Sequence, residues 1–214
     1  MPQESRRQVI IEQAIRFFAE KGFGATTREL AQRIGVTQPL LFQHFPTKGH
    51  LVAAVFDSLF ERMSGRDWRT TLDAGSGTLR ERLIDFFHSY ANELYDFHWI
   101  RIYMFAALEG GAFNRMYITK VTEPLLREIA VRIRVELGFP RCEPVEVSRQ
   151  ELELLWLLHG GIYYSAIRKQ IYGMTVASAD LRENIQYGVD GVMAGMRELL
   201  TDVTLRPPVA VAST

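Results

Sequence analysis

Residues 26–48 read TTRELAQRIGVTQPLLFQHFPTK, and this stretch decides the fold of the N-terminal part of the chain. Thr26 and Glu29 have the spacing of a capping box, so a helix is predicted to begin there. Gly35 is predicted to end that helix, and a shorter helix is predicted over about residues 38–44. Two short helices joined by a glycine turn are the arrangement of a helix-turn-helix.

Helical periodicity continues on both sides of this stretch. Upstream, the apolar residues of one helix face are Ile11, Ala14, Ile15 and Phe18. Their i, i+3, i+4, i+7 spacing predicts a first helix, which should end at Gly22. Downstream, Pro46 interrupts the pattern, and Thr47 can cap a further helix. The apolar face of that helix is predicted to carry Leu51, Val55 and Leu59.

The remainder of the chain is also predicted to be helical, which makes the fold class all-α with about nine helices. Segment 64–77 (SGRDWRTTLDAGSG) is predicted to be a linker because it is rich in Gly, Ser and Asp. Residues 113–137 contain Pro124, so they form either one kinked helix or two pieces. Capping-box spacing at residues 78 and 148 predicts two more helix starts. The remaining segments are predicted helices over about 78–97, 99–109, 148–172 and 180–201, and a loop over 138–147.

Composition and charge give weaker indications. The 214-residue chain is 47% hydrophobic and 23% charged, which is typical of a globular protein. Residues 1–50 hold seven Lys and Arg against four Asp and Glu, while the rest of the chain has an acidic excess. A basic N-terminal segment followed by an acidic remainder favours contact with nucleic acid through the N-terminal segment. The absence of a long apolar run or signal peptide, and the lone Cys142, predict a cytoplasmic protein without a membrane partner.

The helix-turn-helix stretch resembles the tetracycline-repressor-like (TetR) family of bacterial regulators. Fourteen of its 23 residues match the family pattern: Thr26, Thr27, Arg28, Leu30, Ala31, Gln32, Gly35, Val36, Gln38, Pro39, Leu41, Phe42, His44 and Lys48. The resemblance implies a DNA-binding head, a helical body that binds a small-molecule effector, and a homodimer. It implies a repressor that leaves a palindromic operator in double-stranded DNA when a small, largely apolar or aromatic ligand binds.

Four residues are predicted to contact bases. Gln38, on the first turn of the recognition helix, can pair bidentately with adenine, and Arg28 can reach a guanine edge. Pro39 can pack on a thymine methyl group, and Leu40 offers only apolar contact. The resemblance implies that the residues contacting the DNA backbone are Thr27, Thr37, Phe42, Gln43, His44 and Lys48. Phe42 stands where the family usually has tyrosine, so it keeps a ring but lacks the hydroxyl.

The second half of the chain is rich in aromatic residues, which form either a core or an effector pocket. The predicted pocket residues are Phe87, His88, Trp99, Tyr103, Trp156, His159 and Tyr163. No metal site and no cofactor are expected, because the histidines lack metal-ligand spacing. The resemblance also implies a four-helix dimer interface, for which the candidate small residues are Gly160, Gly161, Gly188, Gly191 and Gly195. Packing within one chain is the alternative explanation for these glycines.

The predicted domains are a DNA-binding domain over 1–50, an effector and dimerisation domain over 51–205, and a flexible tail over 206–214. Residues 51–63 are predicted to form a helix that connects the first two. An enzyme is not expected, because no nucleophile-base-acid set or phosphate loop is recognised. Two alternatives stay open: a non-enzymatic helical ligand carrier, and a DNA-binding protein that responds to no ligand.

Overall fold

The computed structural model describes residues 3–64, 68–73, 76–94, 96–139 and 146–205, and all regular structure in these ranges is helical. Nine of the eleven α-helices described there have seven residues or more, which confirms the all-α prediction. The helices are α1 (Gln3–Lys21), α2 (Thr27–Ile34), α3 (Gln38–His44), α4 (Lys48–Ser64), α5 (Trp68–Asp73), α6 (Leu79–Leu94), α7 (Phe97–Leu108), α8 (Ala112–Tyr117), α9 (Glu123–Glu136), α10 (Arg149–Gln170) and α11 (Ser178–Leu205).

Helix α5 lies inside the segment that was predicted to be a linker, so that prediction is wrong for residues 68–73. Trp68 and Leu72 are buried, and their i, i+4 spacing gives the short helix one apolar face. The Trp68 ring packs against the rings of Phe86 and Tyr90, with centroids 5.7 and 5.3 Å apart. Two aromatic contacts therefore stabilise this helix, although the Gly, Ser and Asp content of the segment had predicted a linker.

The segment around Pro124 contains two α-helices joined by a π turn. Helix α8 runs into the five-residue π turn Ile118–Thr122, and Pro124 is the second residue of α9. In a regular helix the proline ring would clash with the carbonyl of Lys120, four residues earlier. Lys120 lies in the π turn, and its wider i→i+5 geometry relieves that clash.

The chain groups into two compact units. Unit 1 comprises Met1–Asp67, Asn92–Thr122 and Ala166–Met174, and its core includes the buried residues Phe18, Leu30, Leu41, Val55 and Ile102. Unit 2 comprises Trp68–Ala91, Glu123–Ser165 and Thr175–Thr214, and its core includes Leu83, Phe86, Leu126, Ile129 and Leu155. The functional domain limits stay predictions, because compactness does not show what a domain binds. The predicted tail 206–214 and Cys142 lie outside the described residues.

A buried ion pair belongs to unit 2. Arg134 Nε and Nη2 each donate to one carboxylate oxygen of Glu151 at 2.5 Å, and both residues are buried. Glu151 also accepts from the backbone N–H of Ser148 at 2.8 Å, closing the predicted capping box of α10. Burial alone would raise the pKa of Glu151, but hydrogen bonds from Arg134 and Ser148 outweigh it and lower that pKa.

Candidate nucleic-acid interface

The turn between α2 and α3 forms because local hydrogen bonds determine each helix end. The N–H of Thr26 donates to Glu29 Oε2 at 2.8 Å, and the N–H of Glu29 donates to Thr26 Oγ1 at 3.2 Å. This reciprocal pair confirms the capping box predicted from their spacing. Gly35 ends α2 in the left-handed conformation, with φ of 71°, and its N–H binds the carbonyls of Ala31 and Gln32. Glycine adopts this backbone conformation without the steric cost of a Cβ.

Helix α3 begins at the residue that the sequence predicted. Its N-cap is Thr37, whose Oγ1 accepts from the N–H of Leu40 at 3.4 Å. Pro39 is the second residue of the helix, where its missing N–H leaves no hydrogen bond unmade. Leu41 is buried and anchors the helix, whereas Gln38, Pro39 and Leu40 before it keep access to solvent.

All ten predicted DNA-contact residues retain access to solvent. The exposed ones are Arg28, Thr37, Pro39, Phe42 and Gln43, and the half-buried ones are Thr27, Gln38, Leu40, His44 and Lys48. The buried residues of α2 and α3 are Leu30, Ala31 and Leu41, none of which was assigned to DNA contact. Burial thus separates the apolar anchors of α2 and α3 from the ten solvent-accessible candidate side chains, which are called the outer face of the helix-turn-helix below.

One pair within this outer face is linked directly. The side-chain amide of Gln38 donates from Nε2 to Thr27 Oγ1 at 3.1 Å. Gln38 is the first residue of α3 and Thr27 is the first residue of α2. The structure therefore brings together a candidate base-contacting residue and a candidate backbone-contacting residue that are eleven positions apart in sequence.

Helix α1 contacts both α2 and α4 in unit 1. Arg33 of α2 makes a two-pronged ion pair with Glu20 of α1, at 2.5 and 2.7 Å, and its hydrogen bonds lower the pKa of that carboxylate. Both side chains are more than one-third exposed, so the pair orients the helices more than it stabilises them. Thr47 caps α4 as predicted, because its Oγ1 accepts from the N–H of His50 at 3.2 Å.

Sequence reasoning missed Arg101, which connects α7 to α1. Its Nε donates to the carbonyl oxygen of Ala19, and its Nη2 donates to the carbonyl oxygen of Glu20 at 3.4 Å. The guanidinium also lies over the rings of Phe97 and Phe105, 5.3 and 5.4 Å from their centroids. The signal available in sequence was one arginine in the middle of a largely apolar helix, FHWIRIYMFAAL.

The predicted effector residues fall into two sets, one in each compact unit. In unit 1, the rings of Trp99 and Tyr103 lie 5.6 Å apart, and both pack against Phe113 and Tyr117. Burial raises the pKa of the Tyr103 hydroxyl. A cavity of about 360 Å³ in this unit is lined by Trp99 and by polar residues of α1 and α4, including Arg16 and Arg62.

The second set surrounds a histidine in unit 2. His159 lies 5.4 Å from Trp156 by ring centroids, and its Nε2 lies 3.1 Å from the hydroxyl of Tyr90. Tyr90 is buried and contacts Phe87, so it joins the predicted residues although it was not among them. Burial lowers the pKa of His159 to about 4, which keeps the imidazole neutral at neutral pH. The other two predicted residues of this unit, His88 and Tyr163, are half-buried.

The five candidate interface glycines divide by their surroundings. A Cβ added at Gly188 would lie 2.5 Å from the side chain of Leu158, and one added at Gly195 would lie 3.1 Å from that of Leu154. These two glycines therefore allow close packing of α11 on α10. Gly160, Gly161 and Gly191 face open space. A groove of about 1180 Å³ runs along the outer side of α10 and α11, and exposed Leu157 is one of its lining residues.

Two absences can be stated for the described ranges. Among those residues, no three His, Cys, Asp or Glu side chains cluster as metal ligands would. In the same part of the chain, no helix is long and apolar enough to cross a bilayer.

Comparison with known proteins agrees with this geometry. Residues 10–55 match the family model described as bacterial regulatory proteins, tetR family. The class C tetracycline repressor of Escherichia coli is 33% identical over 91 residues, covering 37% of this chain and 40% of that protein. The HTH-type transcriptional regulator TtgR of Pseudomonas putida is 45% identical over 60 residues, 28% of each chain. The chain thus matches well under half the length of these relatives.

Solved structures extend the similarity in fold to most of the chain. A TetR-like transcriptional regulator from Rhodococcus sp. RHA1 has a TM-score of 0.67 at 16% identity, covering 91% of this chain and 99% of its own. A ketosteroid transcriptional regulator of Mycobacterium tuberculosis has a TM-score of 0.61 at 21% identity, covering 89% and 94%. The N-terminal residues 10–55 thus match the tetR family model, and the solved structures extend the likeness in fold, at low sequence identity, to the rest of the chain.

Proposed function

We propose that this chain is a sequence-specific, DNA-binding transcriptional regulator that acts without enzymatic activity in the cytoplasm. The observation that carries the proposal is the outer face of the helix-turn-helix, where Gln38 and Pro39 occupy the first turn of α3 and Arg28 is exposed on the first turn of α2. A helix of this kind enters the major groove with its N-terminal residues toward the bases. Residues 1–50 would then be the DNA-binding domain, and 51–205 the effector and dimerisation domain.

The outer side of α10 and α11 supports a homodimer as part of this proposal. Leu157 and Tyr164 are 73% and 53% exposed and lie two helical turns apart, on the side where Gly160 and Gly161 face open space. Tyr187 of α11 is 62% exposed. An exposed apolar surface with small residues on adjacent turns suits a second copy of the same two helices. A two-fold dimer would present two recognition helices to a palindromic operator.

The finer role that we propose is repression relieved by a small, largely apolar or aromatic ligand. The relatives named as tetracycline repressors support this role by analogy. The aromatic clusters around Trp99 and around His159 supply the apolar surface and the few polar groups that such ligands need. Both clusters are therefore candidates for the effector pocket.

The test is selection of bound DNA from a random duplex pool with the 214-residue chain, followed by fluorescence anisotropy on the enriched sequence. The expected result is an enriched palindrome, bound by a dimer, with affinity that falls steeply as salt rises. The matched control is the protein carrying both Arg28→Ala and Gln38→Ala, which should bind the enriched sequence more weakly and lose preference at the operator positions that these two residues contact. Failure of the wild-type protein to enrich any sequence would contradict the proposal.

The ligand is tested separately. A thermal-shift screen over apolar and aromatic compounds should identify a binder, which is then titrated with and without saturating operator. Because coupling is reciprocal, a compound that weakens operator binding tenfold must itself bind tenfold more weakly to the operator complex, about 1.4 kcal/mol of coupling. Equal ligand affinity in both titrations would leave a regulator that the compound does not release.

A further inference from the structure

We propose that Thr27 is a positioning residue for base recognition: its hydroxyl oxygen holds the side-chain amide of Gln38 in the orientation that reads adenine. The inference rests on the proposed DNA-binding function. It assigns Thr27 a different role from the DNA-backbone contact that the family resemblance implies. The observation behind it is the 3.1 Å hydrogen bond from Gln38 Nε2 to Thr27 Oγ1.

Both partners of this bond stand on fixed pieces of backbone. Thr27 directly follows the N-cap Thr26, whose capping box with Glu29 sets the first turn of α2. Gln38 directly follows the N-cap Thr37, which sets the first turn of α3. Both side chains are half-buried, so water competes less for the bond than at an exposed site. Side chains placed by helix ends keep their geometry better than side chains on loops.

In the direction seen in the structure, with Gln38 donating and Thr27 accepting, the bond determines which amide atoms remain for a base. A glutamine amide has two N–H donors and one carbonyl oxygen. Thr27 takes one N–H, which leaves the second N–H and the oxygen in a defined order. Adenine presents an acceptor at N7 and a donor at N6 in the major groove, which is the complement of that order. Guanine presents two acceptors there, and pairing with it requires that the amide turn its donors toward both.

Without Thr27, the amide of Gln38 can rotate about its last torsion, which has a broad and roughly two-fold preference. The rotated amide could direct Nε2 toward guanine, and the side chain would also lose entropy on binding. Removing the hydroxyl should therefore lower discrimination at one base position rather than lower affinity for all DNA equally. A contact from Thr27 to a phosphate predicts the opposite result, because phosphate contacts carry no sequence information.

The experiment compares Thr27→Val, which is close in shape but lacks the hydroxyl, with Thr27→Ser, which keeps it. Each full-length variant is titrated against four operators that differ at the base pair where Gln38→Ala relaxes preference. Thr27→Val should reduce the preference for adenine at this base pair about three- to tenfold, which is the effect of about one hydrogen bond. Thr27→Ser should keep the wild-type preference. In a Gln38→Ala background, Thr27→Val should change no base preference.

Two further results distinguish the positioning role of Thr27 from the proposed DNA-binding function. The side-chain amide protons of Gln38, observed by NMR in the DNA-free protein, should exchange more slowly with water in the wild type than in Thr27→Val. Equal exchange, or an equal loss on all four operators with a shallower salt dependence, would overturn the positioning role while leaving DNA binding intact. A wild-type protein with no sequence preference would overturn the proposed function and the inference together.

Discussion

The guanidinium of Arg101 on α7 donates a hydrogen bond to the carbonyl oxygen of Ala19, in the last turn of α1. The last carbonyl groups of a helix have no partner within the helix, and a cation there also interacts favourably with the helix dipole. Arg101 serves both purposes, because it reaches the carbonyl of Glu20 as well. The end of α1 that leads into the helix-turn-helix is thus stabilised by a residue from far along the chain.

We therefore expect Arg101→Met to destabilise unit 1. Methionine keeps apolar contact with Phe97 and Phe105 but leaves the two carbonyl groups of α1 without this donor. The expected loss is about 1–3 kcal/mol in the free energy of unfolding measured with urea. The matched control is Arg115→Met, because Arg115 donates only locally, to the carbonyl oxygen of Gly110. Equal losses in the two variants would contradict the proposed importance of the α7 contact.

The outer face of the helix-turn-helix should divide base recognition from backbone contact. Arg28→Ala and Gln38→Ala should each cost about 1–3 kcal/mol and relax preference at one operator position. Lys48→Ala should weaken binding to all sequences alike and reduce the salt slope by about one unit per half-site. The measurement is anisotropy over a library of single-base operator mutants. Identical profiles for Gln38→Ala and Lys48→Ala would refute the division.

The surface of α10 should control the oligomeric state. Leu157→Glu places a charge on the exposed side of α10, so we expect a monomer in analytical ultracentrifugation at micromolar concentration, with little change in helical content. Leu108→Glu is the matched control, because Leu108 is equally apolar, 84% exposed and in unit 1. The control should stay dimeric. A wild-type protein that is itself monomeric would remove the basis for this prediction.

Stability should fall in mildly acidic solution because of His159. Its pKa of about 4 lies below the ordinary value of 6.5, so the unfolded chain binds the proton more tightly. The contribution of neutral His159 to the free energy of unfolding is complete above about pH 6.5 and is lost as pH falls toward 4. The expected decrease in the free energy of unfolding between pH 7 and pH 5 is about 2 kcal/mol. His159→Gln should flatten this part of the stability profile, as measured by urea unfolding between pH 7 and pH 5. An unchanged profile in His159→Gln would show that other groups titrate there.

A separate acid effect is expected from the buried pair of Arg134 and Glu151. The pKa of Glu151 is lowered, so its contribution is present above the ordinary carboxyl value and is lost as pH falls below about 4.5. Glu151→Gln leaves Arg134 buried beside a neutral partner and should cost about 3–5 kcal/mol at pH 7. Glu153→Gln, at a side chain that is 61% exposed, should cost little. Comparable losses in urea unfolding at pH 7 would contradict this account.

Sequence patterns predicted helix starts well because caps are local. Thr26 with Glu29 and Ser148 with Glu151 were recognised by spacing alone, and both pairs form the expected reciprocal hydrogen bonds. The linker prediction failed at α5 because composition outweighed two apolar residues, and burial of Trp68 depends on distant partners.

The candidate site shows the same limit. The outward positions of Arg28 and Gln38 follow from helix periodicity, so the sequence sufficed to nominate them. The bond between Gln38 and Thr27, and the contact of Tyr90 with His159, join residues on different helices. Such pairings depend on how the helices pack, and the local sequence around either residue does not predict that packing.

The three tryptophans of the chain are divided between the two compact units, so intrinsic fluorescence can follow the unfolding of each unit separately. Trp99 belongs to unit 1, whereas Trp68 and Trp156 belong to unit 2. A variant with Trp68→Phe and Trp156→Phe would fluoresce only from unit 1, and Trp99→Phe would leave only the emission of unit 2. Denaturation curves that coincide for both variants would show one cooperative transition, and curves that separate would show that each unit melts independently.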